Sequence, residues 1–234
     1  MSAIAVVGAN GWVGRALCAA LAKDRDHAVT AVTRGDYERA REKSYDCVIN
    51  SAMPSARFWA KNNPAEDFTE TVAKTAGLLY GWKFKKFVQI STVSARCQPD
   101  TVYGRHKAAA ESLCAGGDGL ILRLGPMYGP GMKKGVLVDM LEGKKVFIDG
   151  ESRYGFAPLE FVSGWIAANL HRSGIAEVGA KNGIRLKDVA NHLGVAIQFE
   201  GPVDHQEIQN PGPDYPDARL VLAFLDAAKK QMKS

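Results

Sequence analysis

Apolar runs typical of buried strands alternate with helical patterns through the first two-thirds of the chain. We predict strands over residues 4–7, 27–33, 46–50, 86–91 and 120–124. The spacing of apolar positions between these runs predicts helices over residues 12–23, 37–43, 65–80 and from Asp100 or Thr101 to Cys114, with an irregular segment over residues 54–64. Strands that alternate with helices indicate βαβ units around a parallel sheet, so we predict the α/β class.

The pattern weakens after a glycine- and proline-rich turn at residues 125–131. We predict a short strand over residues 145–149 and helices over residues 136–142, 160–171, 186–193 and 218–231. Residues 201–216 contain four prolines and are interpreted as a surface connection.

Three glycines lie at the junction between the first strand and the first helix, in the spacing G-x-x-G-x-x-G. Glycines there allow a tight turn and close approach to a pyrophosphate, while the helix N-terminus faces the anion. A plain structural turn is the alternative interpretation. The pattern favours a dinucleotide site, and its candidate cofactor contacts are Gly8, Asn10, Gly11, Trp12, Val13 and Gly14.

The end of the second predicted strand bears on which dinucleotide such a site would bind. Arg34 follows Thr33 there, and arginine can pair with a 2′-phosphate, whereas an acidic residue would hydrogen-bond a ribose 2′-hydroxyl. Arg34 and Thr33 therefore favour NADP, with Arg15 as a second phosphate partner. NAD is the alternative, in which Asp36 binds the ribose and Arg34 is an exposed turn residue.

Tyr103 and Lys107 stand four positions apart on a predicted helix and so share one face. A nearby ammonium lowers the pKa of a phenol, as a general acid/base near neutral pH requires. Thr92 and Ser94 add hydroxyls where the strand before this helix ends, at the edge where open α/β sheets bind ligands. An ordinary surface Tyr-Lys pair and ordinary strand-end hydroxyls are the alternatives.

Together these motifs resemble the short-chain dehydrogenase/reductase family, and most closely its extended branch of NAD(P)-dependent sugar-nucleotide epimerases, reductases and dehydratases. The resemblance covers residues 3–195 and includes the R-x-x-x-x-Y-G-P-G stretch from Arg123 through Tyr128. It implies that Tyr103 is the acid/base, that Lys107 holds the nicotinamide ribose and lowers the tyrosine pKa, and that Thr92 orients the substrate oxygen.

The resemblance also implies further contacts: a cofactor contact at Asn50, Ser51 and Ala52, and substrate contacts at Ser94, Arg123 and Tyr128. It further implies a homodimer. Val93 and Ser94 stand where dehydratases of the branch carry an Asp-Glu pair, so dehydratase chemistry is disfavoured. The acidic residue that the family generally has near residues 161–164 is missing, which weakens the transfer of substrate contacts.

The resemblance implies a doubly wound Rossmann-type parallel sheet with a small C-terminal α/β substrate lobe. We expect residues 1–234 to form a single domain, in which residues of about 125–150 and 175–234 contribute a reduced substrate lobe. The implied function is NAD(P)-dependent hydride transfer at a carbinol or carbonyl carbon of a nucleotide-activated sugar. The alternatives are an NADPH-dependent reductase of a non-sugar carbonyl and a non-catalytic NADP-binding regulatory protein.

Composition narrows the class of partner. The net charge of +5 suits an anionic small molecule, but the basic residues are scattered, so we expect no nucleic-acid partner. The four cysteines and five histidines lack metal-ligand spacing, so we expect no metal and no disulfide. No apolar run approaches the roughly 20 residues of a membrane span, and the first strand starts beside Met1, so we expect a cytoplasmic protein without a membrane partner.

Overall fold

The computed structural model describes residues 1–233 and divides into two compact units. The first contains Met1–Leu124 and Ser163–Ala176. The second contains Gly125–Val162 and the residues from Glu177 onward. The second unit includes most of the expected substrate lobe, while a single domain over the whole chain stays a prediction.

Ten strands occur in the described residues: β1 (Ser2–Val7), β2 (His27–Val32), β3 (Ser44–Asn50), β4 (Lys83–Thr92), β5 (Leu120–Leu124), β6 (Met127–Tyr128), β7 (Arg153–Tyr154), β8 (Ala157–Pro158), β9 (Gly174–Val178) and β10 (Ile184–Arg185). The main sheet has six strands in the order β2-β1-β3-β4-β5-β9. Pairing among β1 to β5 is parallel throughout. The chain moves outward from β1 in both directions, which confirms the doubly wound Rossmann-type fold.

The helices that precede β5 are α1 (Trp12–Leu21), α2 (Tyr37–Arg41), α3 (Arg57–Asn62), α4 (Pro64–Phe68), α5 (Lys74–Gly81), α6 (Ser94–Cys97) and α7 (Val102–Cys114). Later in the chain come α8 (Val136–Leu141), α9 (Leu159–Ala168), α10 (Leu186–Leu193) and α11 (Leu220–Lys233). A π-helical turn, Thr69–Ala73, joins α4 to α5. None of the helices within residues 1–233 is both long and apolar enough to cross a membrane.

The register of the sheet aligns the ends of its central strands. Val7 at the end of β1 is opposite Val32 of β2 and Asn50 of β3. Side chains of β1 are buried from Ile4 through Val7, which explains why this run is apolar without alternation. The residues that follow β1, β2 and β3 therefore meet at one edge of the sheet.

One predicted strand does not form, and one strand of the main sheet is missing from the predictions. The segment 145–149 forms a single bridge, Val146 to Phe199, and Phe147 beside it is exposed, so the short apolar run has no sheet to join. Strand β9 is absent from the predicted elements. Its residues are mostly exposed or half-buried, and so they lack the apolar run that marks the other strands.

The segment before the helix that carries Tyr103 and Lys107 also has a different secondary structure from the predicted one. Helix α3 forms within residues 54–64, where we expect irregular structure, and the helix expected over 65–80 is divided by the π-helical turn. Apolar spacing alone does not reveal a π turn, because one extra residue shifts the face by only about a quarter of a helical turn.

The second unit is built from short strand pairs and helices. β6 pairs with β8, and β7 pairs with β10. Helix α10 occupies the predicted residues, and Gly194 ends it in the left-handed conformation, with φ of 62°. Leu186, Val189 and Leu193 lie on its buried face.

Candidate active site

The glycine turn after β1 requires glycine for steric reasons. Gly8 has φ of +88°, and a Cβ there would lie 2.7 Å from the Cα of Ala52. A Cβ on Gly14 would lie 2.2 Å from the carbonyl oxygen of Gly8. The turn is therefore folded tightly against β3 and α1, and only glycine permits both approaches.

The start of α1 is open to an anion. Among the described residues no side chain caps it at Gly11, and its first turn contains no acidic residue. Asn10 and Gly11 are exposed, while Trp12 and Val13 are half-buried. A bare-backbone turn at a helix N-terminus fits the pyrophosphate of a dinucleotide, as the spacing predicts.

The end of β3 faces the same turn through its backbone. Ser51 donates its backbone N–H and its hydroxyl to the carbonyl oxygen of Val7, at 2.9 and 2.8 Å. The Asn50 side chain is buried and donates to Gln89 Oε1 at 3.0 Å and Thr75 Oγ1 at 3.2 Å. Asn50 is thus engaged within the protein, which leaves the exposed residue Ala52 as the surface that a cofactor could contact here.

The end of β2 carries a small polar network. The Thr33 hydroxyl donates to Asp36 Oδ2 at 2.6 Å, and Arg39 donates to Asp36 Oδ1 at 2.7 Å. The hydrogen bond from Thr33 and the charge of Arg39 hold the pKa of Asp36 below its usual value. Arg34 is exposed. The carboxylate at this strand end is therefore already paired, whereas Arg34 is exposed.

Helix α7 positions Tyr103. The Thr101 side chain caps the helix by accepting a hydrogen bond from the Gly104 N–H at 3.0 Å, as predicted. A Cβ on Gly104 would lie 2.0 Å from the carbonyl oxygen of Gln98, so α7 lies directly against the backbone that follows β4. This approach brings Tyr103 to the end of β4, where the side chain of Thr92 helps to lower the pKa of its hydroxyl group.

Lys107 completes the cluster from the next turn of α7. Its Nζ lies 5.2 Å from the centroid of the Tyr103 ring and donates to the carbonyl oxygen of Pro54 at 2.8 Å. Lys107 is only 3% exposed. Thr92, Tyr103 and Lys107 are therefore brought together, as the sequence predicts.

The electrostatics of this cluster differ from expectation. The resemblance implies that the Lys107 charge lowers the pKa of Tyr103, but burial raises this pKa to about 12, and the lowering contributions come from Arg57 and the Thr92 side chain. Burial also lowers the pKa of Lys107 to about 7, against the attraction of Asp67. The expected effect was wrong because desolvation opposes the charged form of both groups.

The three candidate substrate contacts lie in different parts of the structure. Ser94 is buried at the start of α6, where its N–H donates to Thr92 Oγ1 at 3.3 Å. Arg123 of β5 forms a bidentate pair with the buried Glu111, with its closest N–O distance at 2.7 Å. Tyr128 belongs to the second unit, where its buried ring packs against Phe224. Arg123 is thus held by a structural partner, and its role in substrate binding stays a prediction.

Two charged residues near the cluster were missed by the sequence interpretation. Arg57 comes from α3 and acts on Tyr103, and Asp67 comes from α4 and acts on both Tyr103 and Lys107. Their segment shows no motif. Asp67 is buried next to Phe68, but the periodicity of the sequence does not distinguish a buried aspartate from one at the surface.

No candidate metal site is found in the part of the chain that the structure describes. Over residues 1–233 no group of three or more His, Cys, Asp or Glu side chains is arranged to hold an ion. The four cysteines are free thiols.

Comparison with known families assigns the chain to a protein family. The model of the NAD dependent epimerase/dehydratase family matches residues 4–156, which is more than half of the chain. The chain belongs to this family. The expected resemblance to the extended branch of short-chain dehydrogenase/reductases is thereby confirmed. A sequence search of curated proteins found no significant match.

Solved structures share the fold of this family member at low sequence identity. RMD from Pseudomonas aeruginosa, complexed with NADPH, is 18% identical, with a TM-score of 0.77 and coverage of 97% of this chain and 100% of that chain. A point mutant of UDP-glucuronic acid 4-epimerase from Bacillus cereus, in complex with NAD and a fluorinated UDP-sugar, is 20% identical, with a TM-score of 0.78 and coverage of 98% and 99%. dTDP-4-dehydrorhamnose reductase from Bacillus anthracis, in complex with NADP, is 14% identical, with a TM-score of 0.74 and coverage of 97% and 98%.

Proposed function

We propose that this protein is an NADP-dependent epimerase or reductase that acts on a nucleotide-activated sugar by hydride transfer at a carbinol or carbonyl carbon. The observation that carries the proposal is the Thr92–Tyr103–Lys107 cluster, formed at the end of β4 in a chain of this family. Structural neighbours in complex with NADPH, NADP or NAD, and with UDP-sugars, support the choice of cofactor and substrate class.

Each residue of the cluster has a distinct role in the proposed reaction. The Tyr103 hydroxyl donates a proton to the substrate oxygen on reduction and accepts it on oxidation. Thr92 orients that oxygen by a hydrogen bond, and Lys107 holds the cofactor ribose. The bound dinucleotide supplies the hydride donor or acceptor. Burial raises the pKa of Tyr103 to about 12, further above neutral pH, so the acid form of Tyr103 is the resting form.

The residues at the end of β2 support NADP as the preferred cofactor. Arg34 is exposed and can pair with a 2′-phosphate, while Asp36 is held by Thr33 and Arg39 and its negative charge is partly balanced. The glycine turn at Gly8, Gly11 and Gly14 would hold the pyrophosphate, with Trp12 and Val13 beside it. Bare backbone at the start of α1 is the feature that fits this group.

Two measurements on the purified protein test the proposal. The first is the affinity for NADPH, NADP and NAD by fluorescence titration or calorimetry, where NADP(H) is expected to bind more tightly than NAD. The second is turnover of UDP- and dTDP-sugars, followed by NADPH absorbance for reduction and by proton NMR for epimerisation. Turnover of only non-sugar carbonyls would favour the alternative reductase, and cofactor binding without any turnover would favour a regulatory protein.

A further inference from the structure

Glu111 is a buried acid of α7 without a role in the reaction proposed above. It is 5% exposed and lies on the buried face of the helix, one turn after Lys107 and two turns after Tyr103. The Ser91 hydroxyl of β4 donates to its Oε1 at 2.6 Å. The Arg123 guanidinium of β5 donates to both carboxylate oxygens, with a shortest distance of 2.7 Å. Glu111 therefore joins α7 to two neighbouring strands of the main sheet.

The two donors are themselves fixed relative to each other. Ser91 and Arg123 are partners in the parallel register of β4 and β5. The residue after Ser91 is Thr92, which ends β4. A short hydrogen bond to a carboxylate and a bidentate guanidinium pair are both directional. The carboxylate of Glu111 therefore holds one point on α7 at a defined place beside the last residues of β4.

The remaining buried residues of α7 are poorly suited to set the position of the helix along its own axis. Apart from Tyr103, Lys107 and Glu111, the buried side is made of small residues, namely Gly104, Ala110 and Cys114. Small residues allow the helix to approach its neighbours closely, but they offer little side chain to interlock, and apolar contact is not directional. Glu111 therefore supplies a directional contact that the small residues of this face cannot supply.

The charge of Glu111 is balanced without Ser91. Three N–H groups of Arg123 contacts lie 2.7–3.1 Å from the carboxylate oxygens and provide the opposite charge. A hydroxyl carries no net charge, and a buried serine must lose its contact with water to reach this position. The hydrogen bond from Ser91 thus contributes geometry rather than charge balance, and it does so at the residue next to Thr92.

We propose that Glu111 is a positioning residue, which through its hydrogen bond with Ser91 fixes α7 along its axis and so sets where the Tyr103 hydroxyl lies relative to Thr92. The effect on catalysis rests on the function proposed for Tyr103 and Thr92. A displacement of a reacting group by about 1 Å costs up to about 10²-fold in rate, so a small shift of α7 is expected to appear in kcat. The bond between Ser91 and Glu111 does not depend on that function and can be measured without substrate.

The first experiment compares the steady-state kinetics of Ser91→Ala, Ser91→Thr and Ser112→Ala on a nucleotide sugar that the wild type accepts. Ser91→Ala leaves the pair of Glu111 with Arg123 in place, so we expect it to fold and to lose about tenfold in kcat, with KM and the Kd for NADPH within about twofold of the wild type. Ser91→Thr keeps a hydroxyl and is expected to restore kcat to within about twofold.

Ser112→Ala is the matched control for these kinetics. Ser112 is an exposed residue of α7, and its hydroxyl donates to the carbonyl oxygen of Ala108 in the same helix. Its kcat is expected to equal that of the wild type. A serine at residue 91 with a merely structural role would lower the stability of Ser91→Ala without changing the kcat of the folded protein. A kcat of Ser91→Ala equal to that of Ser112→Ala would therefore overturn the proposal.

The second experiment uses no cofactor and no substrate, and so separates failure of this inference from failure of the proposed function. Denaturant unfolding measures the effect of Ser91→Ala in the wild type and in the background Glu111→Met/Arg123→Met, which removes both charges together. We expect Ser91→Ala to lower the unfolding free energy in the wild type and not in that background. Equal losses would contradict the bond.

Hydrogen exchange of residues 107–114, followed by mass spectrometry, provides a second measurement that does not require the charge-free background to fold. We expect weaker protection of this segment in Ser91→Ala than in Ser112→Ala, because the segment has lost its hydrogen bond to β4. Equal protection in the two variants would contradict the proposal.

Discussion

Nζ of Lys107 lies 5.2 Å from the centroid of the Tyr103 ring, one turn along α7, and both side chains are buried. The i, i+4 spacing places them on one face of the helix, but the contact of α7 with the segment after β4 decides where that face points. Gly104 permits this contact, because its missing side chain leaves room for the carbonyl oxygen of Gln98.

The variant Gly104→Ala tests this packing. A Cβ at residue 104 would lie 2.0 Å from the Gln98 oxygen, so we expect a loss of about 3 kcal/mol in the free energy of unfolding, at the upper end of typical overpacking. Gly77→Ala on α5 is the matched control, since nothing lies within 4 Å of its added Cβ. There we expect a gain of about 0.5–1 kcal/mol. Equal effects in denaturant unfolding of the two variants would contradict the account.

The sequence predicts those parts of the site that depend on local pattern. The glycine turn and the Tyr103–Lys107 pair each require a fixed spacing within one strand–helix junction or one helix, and spacing is visible in a sequence. Thr92 is predicted because parallel strands place their carboxyl ends at one edge.

The rest of the site depends on contacts between distant segments. Asp67 and Arg57 act on the Tyr103 and Lys107 side chains from α4 and α3, in a region where the sequence predicts either irregular structure or a continuous helix. The engagement of Arg123 by Glu111 also joins separate elements, β5 and α7. Burial reverses the expected pKa shift of Tyr103, and burial of a particular side chain cannot be derived from its local pattern.

The buried lysine makes stability depend on pH. Burial lowers the Lys107 pKa from 10.5 to about 7, so between these values the unfolded chain binds a proton that the folded chain does not. Relative to Lys107→Met, the wild type is therefore expected to gain about 1.4 kcal/mol of unfolding free energy per pH unit as pH rises through this window. Below about pH 7 the difference is expected to be flat. Lys74→Met, at an exposed lysine, is the control that shows no such slope.

The pairing of Arg123 with Glu111 predicts a structural effect of substitution. Arg123→Gln leaves the Glu111 carboxylate buried without its bidentate partner, so we expect a loss of about 3 kcal/mol in unfolding free energy. Lys85→Gln breaks an exposed pair with Asp46 and is expected to change stability by less than about 1 kcal/mol. If Arg123→Gln instead keeps full stability and raises only the KM for a nucleotide sugar, the substrate-binding role predicted from sequence is the correct one.

The exposed position of Arg34 predicts that the protein binds NADPH more tightly than NADH. Arg34→Gln removes the exposed cation at the end of β2, so we expect about a tenfold weaker Kd for NADPH and little change for NADH. Arg25→Gln, at another exposed arginine of the same unit, is the matched control. The measurement is fluorescence titration of both cofactors with each variant. Equal losses for NADPH and NADH would assign Arg34 to a feature that both cofactors share.

The central claim is that the cluster of Thr92, Tyr103 and Lys107 carries out proton transfer coupled to hydride transfer. The most direct test is the turnover of Tyr103→Phe on a nucleotide sugar that the wild type accepts, with Tyr80→Phe as a control at an exposed tyrosine. We expect Tyr103→Phe to lose about 10²- to 10⁴-fold in kcat while its Kd for NADPH stays within about twofold of the wild type. Turnover by Tyr103→Phe equal to that of Tyr80→Phe would contradict the account.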